Sequence, residues 1–286
     1  MTLHDFKPWC TNRILFAHGA VCERCRGGRH WRAFATGCVQ GSRAKSAVAT
    51  VEAYLHDRLG AYRAVRLWIA PSRFVSETAR AWGVDAARLR VLAHGVEALP
   101  ADAPPPGAPE GRFVLFAGRL SVEKGVRLLP GLAARIRPVP VLVAGEGPLA
   151  EWLDRAGVPT LHRLGHLEDG ALAALRARAA VVVVPSLFVE HFGYTVAEAL
   201  LEGRPVVASR IGALPELVEH EVTGLLAPPG DLEALGDAVK RALADPDAPR
   251  WGAAGSERVR AIGDPRRHVE GLLAIYREAL GPAPAP

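Results

Sequence analysis

From residue 111 onward, short apolar runs alternate with stretches of helical spacing. The runs are RFVLFAG (112–118), VPVLVAGEG (139–147), TLHRLG (160–165), AVVVVPS (180–186), PVVASR (205–210) and TGLLAPPG (223–230). Between them, alanine and leucine recur at three- and four-residue intervals over about 127–136, 148–156, 169–178, 194–202 and 231–244. A short run that is apolar throughout suits a strand buried on both faces, and a helix after nearly every strand predicts a doubly wound parallel sheet. The expected fold class is α/β, with a complete Rossmann-like domain over 112–267.

Residues 1–100 carry only two strand-like runs, VRLWIAPS (65–72) and LRVLAHGV (89–96). Two strands do not make a doubly wound sheet, so this half reads as a partial N-terminal domain. PADAPPPGAPEG (100–111) is rich in proline, which lacks the N–H that a helix or a ladder needs, so 101–111 reads as a linker. At the far end, Val269, Leu272, Leu273, Tyr276 and Leu280 lie at helical spacing within 268–280 and predict a helix that packs on another element, the first half being the candidate. The closing GPAPAP reads as a frayed end of the last segment, 268–286.

Composition narrows the class. The chain has 286 residues, 49% of them hydrophobic and 23% charged, which fits two well-cored globular domains. No apolar run reaches the roughly 18 residues that span a bilayer, and MTLHDFKPWC lacks the apolar stretch of a secretory signal. The expected compartment is the cytoplasm. A net charge of +5 and a pI near 9.3 favour anionic partners: nucleotides, nucleic acid or an anionic membrane surface.

The chemistry gathers where strands end. In VVVVPSLFVEHFGYTVAEAL, Glu190 falls in the turn after a strand and Glu198 inside the following helix, with the amides of His191, Phe192, Gly193, Tyr194 and Thr195 between them. Open α/β sheets bind ligands at strand carboxyl ends, and a carboxylate there can accept from two hydroxyls of a sugar edge. Against this stands a simpler reading, with Glu198 complementing a helix dipole and Glu190 solvated. FAGRLSVEKGV (116–126) presents Arg119 and Lys124, two cations that suit a diphosphate or, more simply, a surface ion pair with Glu123. VAGEGPL (143–149) sets glycines on both sides of Glu146, where they serve either close approach to a ligand or a tight turn.

The order and spacing of GRLSVEKG, AGEGP, LGH, VPSLFVEHFGYTVAEALLEGRPVVAS, IGALPELVEHEVTGLLAPPGD and IYREAL resemble the C-terminal nucleotide-sugar domain of family 4 glycosyltransferases, over about 112–280. The resemblance implies the GT-B fold and retaining transfer of a sugar from a UDP- or GDP-sugar to the hydroxyl of a glycan, lipid or small-molecule acceptor. It assigns Glu190 to the hexose and Glu198 to the ribose, the 191–195 amides to sugar and phosphates, Arg119 and Lys124 to the diphosphate, and His166 to the neighbourhood of the base. No catalytic metal is implied, the two cations taking its place. In that family a full Rossmann domain comes first, and one of its late strands ends in a histidine near the reacting sugar. MTLHDF is similar to that strand end, which makes His4 the active-site histidine with Asp5 beside it, the alternative being a frayed terminus. The first strands and their glycine-rich loop are then missing, so donor binding is expected to outlast turnover. Where family members show an asparagine-like residue before Gly-Val-Asp, this chain reads His94, Gly95, Val96, Glu97.

Four cysteines, Cys10, Cys22, Cys25 and Cys38, fall within the first 40 residues. The close C-x2-C pair with two outer cysteines fits a structural zinc, with free thiols, an iron–sulfur cluster or disulfides as alternatives. Beside them, ERCRGGRHWR (23–32) is basic; it reads as a solvated face, or as a contact for an anionic acceptor or a peripheral membrane surface, rather than for nucleic acid. The expected activity is that of a hexosyltransferase. The second reading is a nucleotide-sugar-binding module that lacks turnover without a further N-terminal half. A zinc-stapled nucleic-acid binder and a sugar-nucleotide epimerase fit the motifs less well.

Overall fold

The computed structural model describes residues 1–105 and 108–281. Pro106 and Gly107 of the expected linker, and the tail after Gly281, lie outside them. The chain divides into one unit of Met1–Gly95 with the C-terminal segment from Arg266, and a second of Val96–Pro265.

In the first unit, a small antiparallel ribbon of β1 (Phe16–Ala17) and β2 (Ala20–Val21) precedes α1 (Trp31–Thr36) and α2 (Arg43–Leu59). The two expected strands form, but shorter, as β3 (Trp68–Ala70) and β4 (Leu89–Val91), paired in parallel around α3 (Arg73–Ala81). Met1–Leu3 extends this sheet: Thr2 bridges Ile69 in parallel, and Leu3 N donates to Ile69 O at 2.8 Å. Ser72 starts α3 by accepting from Val75 N, and Ser42 does the same for α2 from Lys45 N. In α2 the stripe Val48, Val51, Leu55 and Leu59 is exposed, whereas Ser46 and Thr50 are buried.

The second unit is the doubly wound sheet that the apolar runs predict. Its strands are β5 (Val114–Ala117), β6 (Val141–Ala144), β7 (Leu161–Gly165), β8 (Val181–Val184), β9 (Val206–Ser209) and β10 (Gly224–Ala227). Its helices are α4 (Leu129–Arg135), α5 (Ala150–Asp154), α6 (Asp169–Arg178), α7 (Tyr194–Leu201), α8 (Leu214–Leu217), α9 (Leu232–Ala244) and α10 (Ala248–Ile262). All six strands pair in parallel, in the order β10-β9-β8-β5-β6-β7. Every residue of β5, β6, β8, β9 and β10 is buried, which is why their sequences run apolar without alternation. Each such valine, leucine or phenylalanine stabilises the unit by about 1.5–3 kcal/mol. The order has one consequence for function. After β7 the chain crosses back to β8 on the other side of β5, so the winding reverses between β5 and β8. Ligands of doubly wound sheets bind at such a reversal, outside the strand carboxyl ends.

Two helices of this unit carry no clear apolar periodicity. The helix α8 spans a single turn, and α10 buries Ala248, Gly252 and Gly255 along with Trp251 and Val259, so small residues make three of the five positions on its packing face.

The last helix, α11 (Pro265–Leu280), starts earlier than the spacing predicts and packs through a different face. Val269, Leu273, Tyr276 and Leu280 are exposed, and Ile275 is the residue it buries. Its contacts lie in the first unit: Gly271 sits against Leu92, His268 Nδ1 lies 2.7 Å from Ala93 O, and Arg90 pairs with Glu278. Polar anchors and a glycine contact set the rotation of this helix, and hydrophobic spacing reports neither.

Candidate nucleotide-sugar site

Of the site residues that the sequence singles out in the second unit, Arg119, Lys124 and Glu190 lie on the loops that follow β5 and β8, at the reversal. The loop after β5 carries Arg119 and Lys124; the loop after β8 carries Glu190 and leads into α7. The two loops are joined by backbone. Leu187 N donates to Glu123 O at 2.8 Å, and Gly125, in the left-handed region at φ +73°, lies so close to Pro185 that a Cβ would stand 1.9 Å from its carbonyl oxygen.

Glu190 is not a solvated loop residue: it is 8% exposed. Its Oε1 accepts from Lys124 Nζ at 2.8 Å and from Ser186 Oγ at 2.7 Å, leaving Oε2 without a hydrogen bond among the described residues. Gly212 closes over its backbone, where a Cβ would stand 2.5 Å from Glu190 N, and Ala213 N donates to Glu190 O. Lys124 therefore pairs with Glu190 rather than with Glu123, which instead accepts from Ser121 Oγ at 2.7 Å. Charge-assisted bonds of this kind contribute roughly 1.5–3 kcal/mol each. The ammonium of Lys124 also lies 4.8 Å from the ring centroid of Phe188. Arg119 is exposed at the end of β5, and its guanidinium has no ion-pair partner among the described residues.

The helix α7 begins at Gly193, which takes the left-handed conformation at φ +96°. The first amides of a helix have no partner within it, so the amides of Tyr194, Thr195 and Val196 open α7 at its positive end. His191 and Phe192 lead into that turn, the ring of Phe192 meeting Tyr194 edge-on at 5.2 Å. One turn further on, Glu198 Oε2 accepts from Arg176 Nη1 at 2.9 Å. Burial pushes the Glu198 carboxyl above the usual range, the Arg176 charge pulls it down, and the charges of Glu202 and Asp169 push it up. Ser186 and Arg176 escape the sequence reading; within ALAALRARAA no local signal separates Arg176 from Arg178. His166, expected near the base, is exposed just past the end of edge strand β7, 3.9 Å from Glu168 Oε1.

His4 belongs to the first unit, just past the Met1–Leu3 segment, and its ring stacks on His94 at 5.2 Å and 5°. Asp5 accepts from Lys7 N at 2.8 Å. His94 is buried, and burial, followed by the charges of His4 and His268, pushes its pKa down to about 4. The unfolded chain takes this proton near the ordinary value of about 6.5. Between those values the unfolded state binds more protons, so stability is full above about pH 6.5 and falls as the pH drops towards 4. Urea unfolding at pH 7, 5 and 4 is expected to show this loss in the wild type and a smaller one in His94→Asn; equal acid losses would refute it.

The four cysteines form no disulfide. Cys10 and Cys25 are buried, and burial pushes both thiols up, Cys10 to about 11. Cys38 Sγ lies 3.8 Å from Thr11 Oγ1. As the side chains stand, no three His, Cys, Asp or Glu among the described residues form a group that could hold a metal ion. Nor is any helix among the described residues long and apolar enough to cross a membrane.

Residues 111–245 match the family model described as Glycosyl transferases group 1. A glycogen synthase of Mycobacterium tuberculosis is 36% identical over 185 residues, 60% of this chain and 44% of the relative. A phosphatidyl-myo-inositol mannosyltransferase of Mycolicibacterium smegmatis is 36% identical over 199 residues, 65% and 51% of the two chains. The chain thus spans about half the length of the curated relatives it matches. Among solved structures, sucrose-phosphate synthase from Thermosynechococcus elongatus superposes with a TM-score of 0.67 at 29% identity, over 75% of this chain and 58% of that one. Anabaena Alr3699/HepE in complex with UDP-glucose does so with a TM-score of 0.64 at 25% identity, over 73% and 64%. The α/β architecture is of the GT-B type, and residues 111–245 of the second unit are similar to the domain described as Glycosyl transferases group 1.

Proposed function

We propose that the chain serves the transfer of a hexose from a UDP- or GDP-activated donor to an acceptor hydroxyl, with retention at the sugar carbon. The observation that carries this reading is the convergence of Arg119, Lys124, Glu190 and the opening amides of α7 at the β5/β8 reversal, with Glu198 one turn further along α7. Arg119 and Lys124 suit a diphosphate, the arginine as a fork and the lysine as a point charge, and they stabilise the charge that grows on it as it departs. That role needs no catalytic metal. Lys124 exchanges part of its bond to Glu190 for phosphate oxygens, and the freed Glu190 carboxylate accepts from hexose hydroxyls. The amides from His191 to Thr195 take sugar and phosphate oxygens, Glu198 takes the ribose, and His166 lies towards the base. In the first unit, His4 is the candidate for contact with the reacting sugar, and the acceptor is a glycan, a lipid or a small molecule. A cytoplasmic site of action, with contact at a membrane surface, belongs to the same reading.

The test is incubation with UDP-glucose and with GDP-mannose, following release of UDP or GDP and the anomeric configuration of the product by NMR. Release with an α-configured product from an α-donor supports the reading. An inverted product refutes retention. Tight binding without release selects the binding module. A structural zinc on Cys10, Cys22, Cys25 and Cys38 requires the thiols to draw closer together than they stand. Metal analysis of purified protein giving about one zinc per chain supports that ion; zinc-free, fully folded protein ends the proposal.

A further inference from the structure

Arg176 has no part in the reading so far, and it is the largest fully buried side chain among the described residues. A guanidinium held out of water is costly unless its donors are matched. Here they are. Nε and Nη2 fork around Glu202 at 2.9 Å and 2.6 Å, and Nη1 reaches Glu198 Oε2 at 2.9 Å. One cation from α6 thereby joins two carboxylates that stand four residues apart at the end of α7, where like charges repel.

The geometry points to Arg176 as a positioning residue: it fixes Glu198 with Oε2 tied and Oε1 presented, and so sets the preference of the site for a ribonucleotide over a nucleotide lacking the vicinal diol. This rests on the proposed assignment of Glu198 to the ribose. Oε1 of Glu198 has no hydrogen bond among the described residues, and the side chain keeps 28% exposure, so one oxygen remains for a hydroxyl. The orientation depends on a planar fork. Lysine would bring the charge but not three donors in fixed directions, so it could not hold Glu202 and aim Glu198 together. The competing account is a plain brace between α6 and α7. Such a brace affects stability and all ligands alike, whereas a positioning role acts on the ribose alone.

The experiment measures calorimetric Kd values for the 5′-diphosphate that the wild type binds, UDP or GDP, and for its 2′,3′-dideoxy analogue. It uses the wild type, Arg176→Lys, Arg176→Met and Glu202→Gln, with melting temperatures recorded for each. Hydrogen bonds to a charged group make the ribose form at least about tenfold tighter in the wild type. In Arg176→Lys that ratio is expected to fall at least about threefold, with the dideoxy Kd changed by less than about twofold. Glu202→Gln, which loosens the fork from its other side, is expected to lower the ratio in the same direction. If Arg176→Met does not fold, the other two variants carry the test. A ratio unchanged in folded Arg176→Lys and Glu202→Gln, or equal weakening of both nucleotides, overturns the proposal. A wild type that binds both nucleotides equally, or neither, removes the ribose assignment and this proposal with it, and that outcome appears before any substitution is made.

Discussion

Alanine at Gly125 is expected to destabilise the second unit by about 3 kcal/mol and to weaken nucleotide binding more than tenfold. A left-handed residue with a Cβ costs about 1–2 kcal/mol, and Gly125 has φ +73°. The new Cβ would also stand 1.9 Å from Pro185 O and 2.8 Å from Pro185 C. Both are backbone atoms at the end of a fully buried strand, so neither yields cheaply, and such overpacking costs typically about 1–3 kcal/mol. Relief comes only by parting the two loops, which carries Lys124 away from Glu190. Gly157→Ala is the control, since that glycine is also left-handed, at φ +62°, but has nothing within 4 Å of the added atom. Urea unfolding and calorimetry decide; a Gly125→Ala loss no larger than that of Gly157→Ala would contradict the packing account.

The second large effect concerns Lys124. Its replacement by methionine leaves Glu190, 8% exposed, with Ser186 Oγ as its remaining side-chain partner. The expected cost is about 2 kcal/mol of stability, less than for a fully buried pair because 30% of the lysine side chain meets solvent. Glu190→Gln added to Lys124→Met is expected to recover most of that loss, because a neutral amide needs no counter-charge. Function does not recover with it. Diphosphate affinity falls about 10–100-fold in both the single and the double variant, the worth of one charge-assisted contact. Transfer falls by at least about 100-fold, as when a donor to developing charge is removed. Parallel unfolding and binding series check this, and a double variant that regains both stability and affinity would show that Lys124 serves Glu190 alone.

The sheet was legible because β5, β6, β8, β9 and β10 are buried on both faces, so burial alone dictates their sequences. Its helices were legible where leucine and alanine face that sheet, as in α6 and α9. The signal failed where other forces set the structure: small residues in α10, the polar anchors His268 and Glu278 in α11, and the mostly exposed apolar stripe of α2. At the site, the sequence put Lys124 and Glu190 on the loops after β5 and β8 but set them to different parts of one donor, the diphosphate and the hexose. Their 2.8 Å ion pair depends on the β5/β8 neighbourhood, which no local spacing reports. Arg176 shows the same limit more sharply. Within ALAALRARAA it looks like one of two surface arginines, and only the packing of α6 separates it from exposed neighbours such as Arg178.

The central claim is a nucleoside-diphosphate site at the β5/β8 reversal, and titration calorimetry of UDP and GDP into the wild type and Lys124→Met tests it most directly. Saturable one-to-one binding of one of the two nucleotides, weakened about 10–100-fold by the substitution, is the predicted result. No binding of either, or binding that Lys124→Met leaves unchanged, would contradict it.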